Sequence, residues 1–225
     1  MIVALDLDDT LYPEETYVRS GFRAVAAALA LRWRVDEERA FSIMWDSLER
    51  NGRGTQFDTV VAELGLSGRQ SVAELVRIYR HHEPDIELPN ASRDAIEALH
   101  PRPLYVVTDG HKVVQQGKIH ALGLTPYLRH AYVTHRYGIH NRKPSSHVFE
   151  LMMRRERARP QDIVYVGDDA SKDFLGIRPL GFRTIRVLTG RHAPMVVIEA
   201  DDAERTVTGM AEVPDVVAEM ERETV

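Results

Sequence analysis

The stretch IVALDLDDTLYP, Ile2 to Pro13, decides how the rest of the chain is read. Ile2 to Leu5 is short, continuous and apolar, the pattern of a strand buried on both faces. Three aspartates follow within four residues: Asp6, Asp8 and Asp9. Carboxylates crowded at the end of a buried strand repel one another, and packing alone supplies no reason for them. Pro13 with Glu14 and Glu15 reads as a helix start, the acidic pair well placed against the helix dipole.

From that start to about Arg80 the signal is helical. Val18, Phe22, Val25 and Leu29 recur at helical spacing, as do Phe41, Met44, Trp45 and Leu48, and then Leu75, Ile78 and Tyr79. The run Ala24 to Leu31, closed by Arg32 and Arg34, reads as a buried helix face. NGRG (Asn51 to Gly54) and GLSG (Gly65 to Gly68) are turn-rich breaks. HHEPDIELPN, from His81, carries two prolines and no period, so it reads as a linker.

Beyond the linker, helix and strand signals alternate. Helices Ala91 to Leu99, Val113 to Leu122 and His147 to Arg155, and a short helical piece Asp173 to Arg178, precede strands at Leu104 to Val107, Ala131 to Val133, Ile163 to Val166 and Thr184 to Val187. Such alternation predicts an α/β fold with a parallel sheet and helices on both faces. The first strand has no neighbour in sequence and belongs with that sheet. The expected domains are therefore a core, 1–14 and 90–225, and an inserted all-helical block, 15–89. Past Gly190, Ala193 to Ala200 is a candidate strand and Pro214 to Arg222 a final helix.

Composition narrows the function. At 44% hydrophobic and 28% charged over 225 residues, the chain fits a folded globular protein. A net charge of -5 gives no support for a nucleic-acid or membrane-surface partner. The chain has no cysteine, which excludes a disulfide framework, a thiolate zinc site and a cysteine nucleophile. No apolar run approaches membrane-spanning length and no basic-led leader is visible, so a cytoplasmic location without a membrane partner is expected.

In open parallel sheets, ligands bind beyond the carboxyl ends of the strands. Those ends carry Asp6 to Thr10, then Thr108, Asp109 and Gly110, then Gly167, Asp168 and Asp169, with Asp173 just beyond. A hard cation relieves such a cluster. Magnesium takes oxygen ligands, commonly one or two carboxylates plus phosphate and water, so the cluster suggests Mg2+ and a phosphorylated substrate. Lys143 is the leading cation for phosphate, with Arg142, Lys112, Lys118 and Lys172 as looser candidates. The ten histidines show no HExxH-type spacing and read as surface or core residues. His111 is kept as a possible substrate contact.

DLDDT from Asp6, VVTDG from Val106, KPSSHVF from Lys143 and VGDDASKDFLG from Val166 resemble, in order, the four motifs of the haloacid dehalogenase-like (HAD) phosphohydrolases. The resemblance implies a Rossmann-like core with the helical block as its cap. It implies Asp6 as nucleophile, giving an aspartyl-phosphate. Asp8 is implied as the acid–base residue, which calls for a raised pKa. Mg2+ is implied between the carboxylates of Asp6 and Asp168 and the Asp8 backbone carbonyl. Thr108 and Lys143 are implied as phosphate contacts, with Asp109 and Gly110 beside them in the substrate site. Asp173 fits the second acidic position of the fourth motif, orienting Lys143 or the metal's water, and Asp169 competes for that place. Asp9 has no chemical role and is read as a cap of the following turn.

A haloalkanoate dehalogenase needs neither Asp8 nor the acidic fourth motif. A phosphomutase is the alternative within the family. A non-catalytic binding module would lack one of these groups, and none is missing. The implied substrate is a small phosphorylated metabolite, a sugar phosphate or a nucleoside monophosphate. The nearest likeness is to the N-acylneuraminate phosphatase-like and pyrimidine nucleotidase-like group. The loop NGRGTQF, with Asn51, Arg53 and Phe57, is the candidate cap segment for substrate contact, Arg53 first.

Overall fold

The computed structural model describes residues 1–223. Six strands form one sheet in the order β3-β2-β1-β4-β5-β6. They are β1 (Ile2–Leu5), β2 (Leu104–Thr108), β3 (His130–Val133), β4 (Ile163–Gly167), β5 (Arg183–Val187) and β6 (Arg205–Val207). Every neighbouring pair is parallel. The first strand joins the later sheet, as the sequence argues, and lies inside it between β2 and β4. Its four residues are all buried, as a strand paired on both edges between helix layers must be.

The chain divides into two compact units, one of residues 1–14 with the chain from Glu87 on, the other Glu15–Ile86. In the first unit the sheet is flanked by α5 (Asn90–Leu99), α6 (Lys112–Ala121), α7 (His147–Glu156) and α8 (Val213–Glu223). Ile2, Ala4, Tyr105, Val107, Ile163 and Tyr165 alternate onto one face of the sheet and pack against Val148, Phe149 and Met152 of α7. Each such buried side chain contributes about 1.5–3 kcal/mol relative to exposure.

The second unit holds α1 (Glu14–Trp33, starting one residue earlier), α2 (Glu37–Asn51), α3 (Gln56–Glu63) and α4 (Val72–His81). Its core gathers Val18, Phe22, Val25, Leu29, Phe41, Met44, Val60 and Leu75. The Asp36 side chain accepts from the Arg39 amide and caps α2. Leu31, expected on the buried face of α1, is 89% exposed.

Two elements differ from the sequence reading. Ala193 to Ala200 forms no strand; Val196 and Ile198 are exposed, and the sixth strand lies at Arg205–Val207 instead. Asp173 to Arg178 is a run of turns ending in a short 3-10 segment, Arg178–Leu180. The Asp173 carboxylate accepts from the Asp169 amide, which closes a turn there in place of a helix. No helix among the described residues is long and apolar enough to cross a membrane.

Candidate active site

Strand register assembles the site. Leu5 pairs with Val106 on one side and Val166 on the other, so Asp6, Thr108 and Asp168 emerge at one sheet edge. The strand order reverses around β1, the switch point at which open α/β sheets bind ligands. The backbone amide of Asp6 still bonds to the Val166 carbonyl at 2.8 Å, which holds the carboxylate in strand geometry just past the last paired residue.

Asp6, Asp168 and Asp173 form a buried cluster whose nearest carboxylate oxygens all lie within 4.8 Å of one another. Lys143, 4% exposed, enters from the loop before α7. Its Nζ sits 2.8 Å from Asp6 Oδ1 and 2.7 Å from Asp173 Oδ1, and donates to the Tyr165 hydroxyl at 3.0 Å. That hydroxyl donates in turn to the Val107 carbonyl at 3.2 Å. A Cβ on Gly167 would run into the Asp173 carboxylate, so glycine is what lets Asp173 fold back over the end of β4.

One lysine does not balance three buried carboxylates. Burial is the largest influence on Asp6 and lifts its pKa to about 7, with Lys143 pulling down and Asp173 pushing up. Burial likewise lifts Asp168 to about 8, reinforced by Asp6 and Asp173. Burial opposes the charge on Lys143, yet Asp173 and Asp6 hold its pKa well above the ordinary lysine value. The donor set is all oxygen and short of positive charge, which fits a hard divalent cation such as magnesium.

Asp8 faces a different environment. Its Oδ1 accepts from the Tyr12 hydroxyl at 2.7 Å and from Lys118 Nζ at 2.7 Å, and its Oδ2 from Gln115 Nε2 at 2.8 Å. Burial presses its pKa upward, but the Lys118 charge and these hydrogen bonds outweigh burial and hold it below the ordinary carboxylate value. The raised pKa expected for Asp8 is thus corrected: the resting carboxylate is stabilised as the anion by a lysine 110 residues away in sequence.

The remaining predicted residues fall as follows. Thr108 is buried, and its Oγ1 accepts from Gln115 Nε2 at 2.6 Å. Asp109 Oδ1 accepts from Thr134 Oγ1 at 2.6 Å and the Lys143 amide at 3.1 Å, tying β3 and the lysine loop to the end of β2. Gly110 takes φ +131, and a Cβ there would lie 3.2 Å from the Gln115 side chain. Asp169 turns to Ser171, Lys172 and His192, so Asp173 and not Asp169 meets Lys143. Asp9 Oδ1 accepts from the Glu14 amide at 2.9 Å, the cap expected of it. His111 precedes α6, and Arg53 lies on the exposed turn between α2 and α3 of the helical unit. Gln115, Tyr12 and Tyr165 were not legible as site residues. The usable signals were a buried tyrosine tip needing a partner and the polar pair Gln115 and Lys118 on one face of α6.

The family model for haloacid dehalogenase-like hydrolases matches residues 1–181. The chain belongs to that family. The HAD-like chain is 27% identical to a glyceraldehyde 3-phosphate phosphatase of Methanocaldococcus jannaschii, over 98% of each chain. It is 26% identical to one from Methanopyrus kandleri, again over 98% of each. Its fold matches the HAD-hydrolase YfnB of Bacillus subtilis, a magnesium-bound structure, with TM-score 0.66 at 18% identity over 96% of this chain and 97% of that one. It also matches a 2-haloacid dehalogenase of Pseudomonas syringae, with TM-score 0.67 at 21% identity over 97% and 99%. The HAD fold, its aspartate cluster and the family make this chain a hydrolase with a site built for phosphohydrolase chemistry.

Proposed function

We propose that this HAD-like hydrolase is a magnesium-dependent phosphatase of a small sugar phosphate, working through an aspartyl-phosphate on Asp6. The observation that carries the reading is the buried Asp6–Lys143–Asp173 chain beside Asp168. Asp6 attacks phosphorus, the bond from phosphorus to the leaving oxygen breaks, and Asp8 gives that oxygen its proton. Water then attacks the phosphorus of the aspartyl-phosphate, Asp8 takes the proton, and inorganic phosphate leaves with Asp6 regenerated. The low resting pKa of Asp8 suits this second half-reaction. For the first, an arriving phosphate dianion favours the protonated carboxyl, since a like charge disfavours ionisation.

Asp6 and Asp168, with the Asp8 main-chain carbonyl, hold magnesium, which supplies positive charge to the phosphoryl oxygens. Lys143 balances charge on Asp6 and on the phosphoryl group, and Asp173 holds the lysine in place. The Thr108 hydroxyl accepts from Gln115 at 2.6 Å and donates to the Asp109 carbonyl only at 3.5 Å, a long contact that a phosphate oxygen would replace.

The relatives named glyceraldehyde 3-phosphate phosphatase weight the sugar-phosphate arm of the expectation over the nucleoside-monophosphate arm. They lend no support to the N-acylneuraminate phosphatase-like or pyrimidine nucleotidase-like grouping. Glyceraldehyde 3-phosphate is therefore the first substrate to test. A phosphate-release panel of sugar phosphates and nucleoside monophosphates, with magnesium and with EDTA, checks the class. Magnesium-dependent release from a triose phosphate is the expected result, and release confined to nucleotides would move the substrate class. Arg53 is proposed as a substrate contact of the helical unit. If Arg53→Ala leaves kcat/KM unchanged across that panel, Arg53 has no such role.

A further inference from the structure

Gln115 and Lys118 lie one turn apart on the same face of α6, and each is almost wholly buried, at 1% and 2% exposure. A lysine this buried must be matched by negative charge. Lys118 finds it in Asp8 at 2.7 Å, with Glu14 further off at 3.6 Å. Gln115 places one amide nitrogen between two groups of the site, 2.8 Å from Asp8 Oδ2 and 2.6 Å from Thr108 Oγ1. An ionised carboxylate only accepts hydrogen bonds, so the amide must turn its NH2 toward Asp8. Both Asp8 oxygens are thereby engaged from α6, and the carboxylate plane is fixed. The glycine of the TDG turn serves the same arrangement. Gly110 leaves room above the turn for the Gln115 side chain, which a Cβ would crowd at 3.2 Å.

We propose that Gln115 and Lys118 are positioning residues for proton transfer by Asp8: together they hold its carboxyl in line with the leaving oxygen while Gln115 orients the Thr108 hydroxyl toward the phosphoryl group. This rests on the phosphatase reading of Asp6 and Asp8. Proton transfer demands hydrogen-bond reach in the transition state, and small misplacements are costly. In the first half-reaction, which kcat/KM reports, the cost falls only where the leaving oxygen needs a proton; hydrolysis of the aspartyl-phosphate is common to every substrate. An alkyl phosphate needs one, whereas p-nitrophenyl phosphate expels a stable phenolate without help.

The test compares kcat/KM on glycerol phosphate and on p-nitrophenyl phosphate for the full chain with magnesium. Lys118→Met should lower kcat/KM on the alkyl phosphate about 100-fold and on p-nitrophenyl phosphate less than about tenfold. Gln115→Ala should show the same bias at about tenfold. Asp8→Asn sets the reference bias. Equal losses of kcat/KM on the two substrates would overturn the positioning role, because a merely structural defect carries no leaving-group preference. If Lys118→Met does not fold, Gln115→Ala decides on the same ratio. Asp6→Asn separates the two readings. It must silence both substrates; if it does not, the phosphatase reading falls and this inference with it.

Discussion

Asp6 and Asp8 stand two residues apart, and each has a buried lysine beside it, Lys143 at 2.8 Å and Lys118 at 2.7 Å. Their carboxyls nevertheless shift in opposite directions, Asp6 up to about 7 and Asp8 down. The difference is one of charge count. On the Asp6 side Lys143 is shared between Asp6 and Asp173 and Lys172 adds its charge from beside Asp169, so two lysines face the four carboxylates of Asp6, Asp168, Asp169 and Asp173. On the Asp8 side Lys118 serves Asp8 at 2.7 Å and Glu14 more distantly at 3.6 Å, and two neutral donors are added to Asp8. The first side is short of positive charge, as suits a divalent cation. The second is complete with protein groups alone, as suits a carboxyl that handles protons. Burial is the same kind of force on both sides; the stoichiometry of partners decides its outcome.

Removing the proposed nucleophile should have the largest effect. Asp6→Asn should lower phosphate release on the order of 10^4-fold or more, read by steady-state kinetics, while the Asp8 side stays folded. Next comes the lysine of the crowded side. Lys143→Met leaves Asp6 and Asp173 buried without their cation, and should cost about 3–5 kcal/mol of stability along with activity. Chemical denaturation measures the first and phosphate release the second. A loss below about 1 kcal/mol would mean that the carboxylates do not depend on Lys143 as described.

The two sides also differ in their dependence on pH. Asp6 and Asp168 have folded pKa values near 7 and 8, above the unfolded value of about 3.9. Between about pH 4 and pH 8 the metal-free folded state therefore binds more protons than the unfolded chain, and stability falls as pH rises through that window. Asp8 runs the other way. Its lowered pKa contributes stability above about pH 4, lost only as pH falls through the folded value. Magnesium favours the ionised carboxylates, so its stabilisation should be larger at about pH 8 than at about pH 5.5. A shift in Tm of about 5 °C or more at saturating magnesium is expected at the higher pH. Equal shifts at the two pH values would contradict the charge deficit on the Asp6 side. The smallest effect sharpens the same point: Gly167→Ala crowds Asp173 and should cost about 1–3 kcal/mol in a thermal or urea melt, with reduced activity.

Much of this was legible in the sequence because the apolar runs are short and fully buried. IVAL, LYVV and IVYV announce strands, and each strand end delivers its polar residues to one edge. The errors came where apolar character and burial part company. Val196 and Ile198 are apolar yet exposed, so they mimic a strand, while Arg205 and Thr206 form an exposed edge strand with no apolar signal. At the site, the Asp6 side could be read because its groups lie in motif positions. The Asp8 side could be read only in part, since Lys118 stood as a looser candidate for phosphate and not as the partner of Asp8. Its balance depends on Gln115 and Lys118, more than a hundred residues on, brought to Asp8 by the β1–β2 register and the pitch of α6. Sequence spacing carries no record of that encounter.

The most direct test is to trap the covalent intermediate. The protein is mixed with magnesium and glyceraldehyde 3-phosphate, the substrate proposed for it, then quenched in acid, digested and mapped by mass spectrometry. The account predicts a phosphorylated peptide from the N-terminal strand with the phosphoryl group on Asp6, absent in Asp6→Asn. Phosphate release with the label on another residue, or release by Asp6→Asn at the wild-type rate, would contradict it.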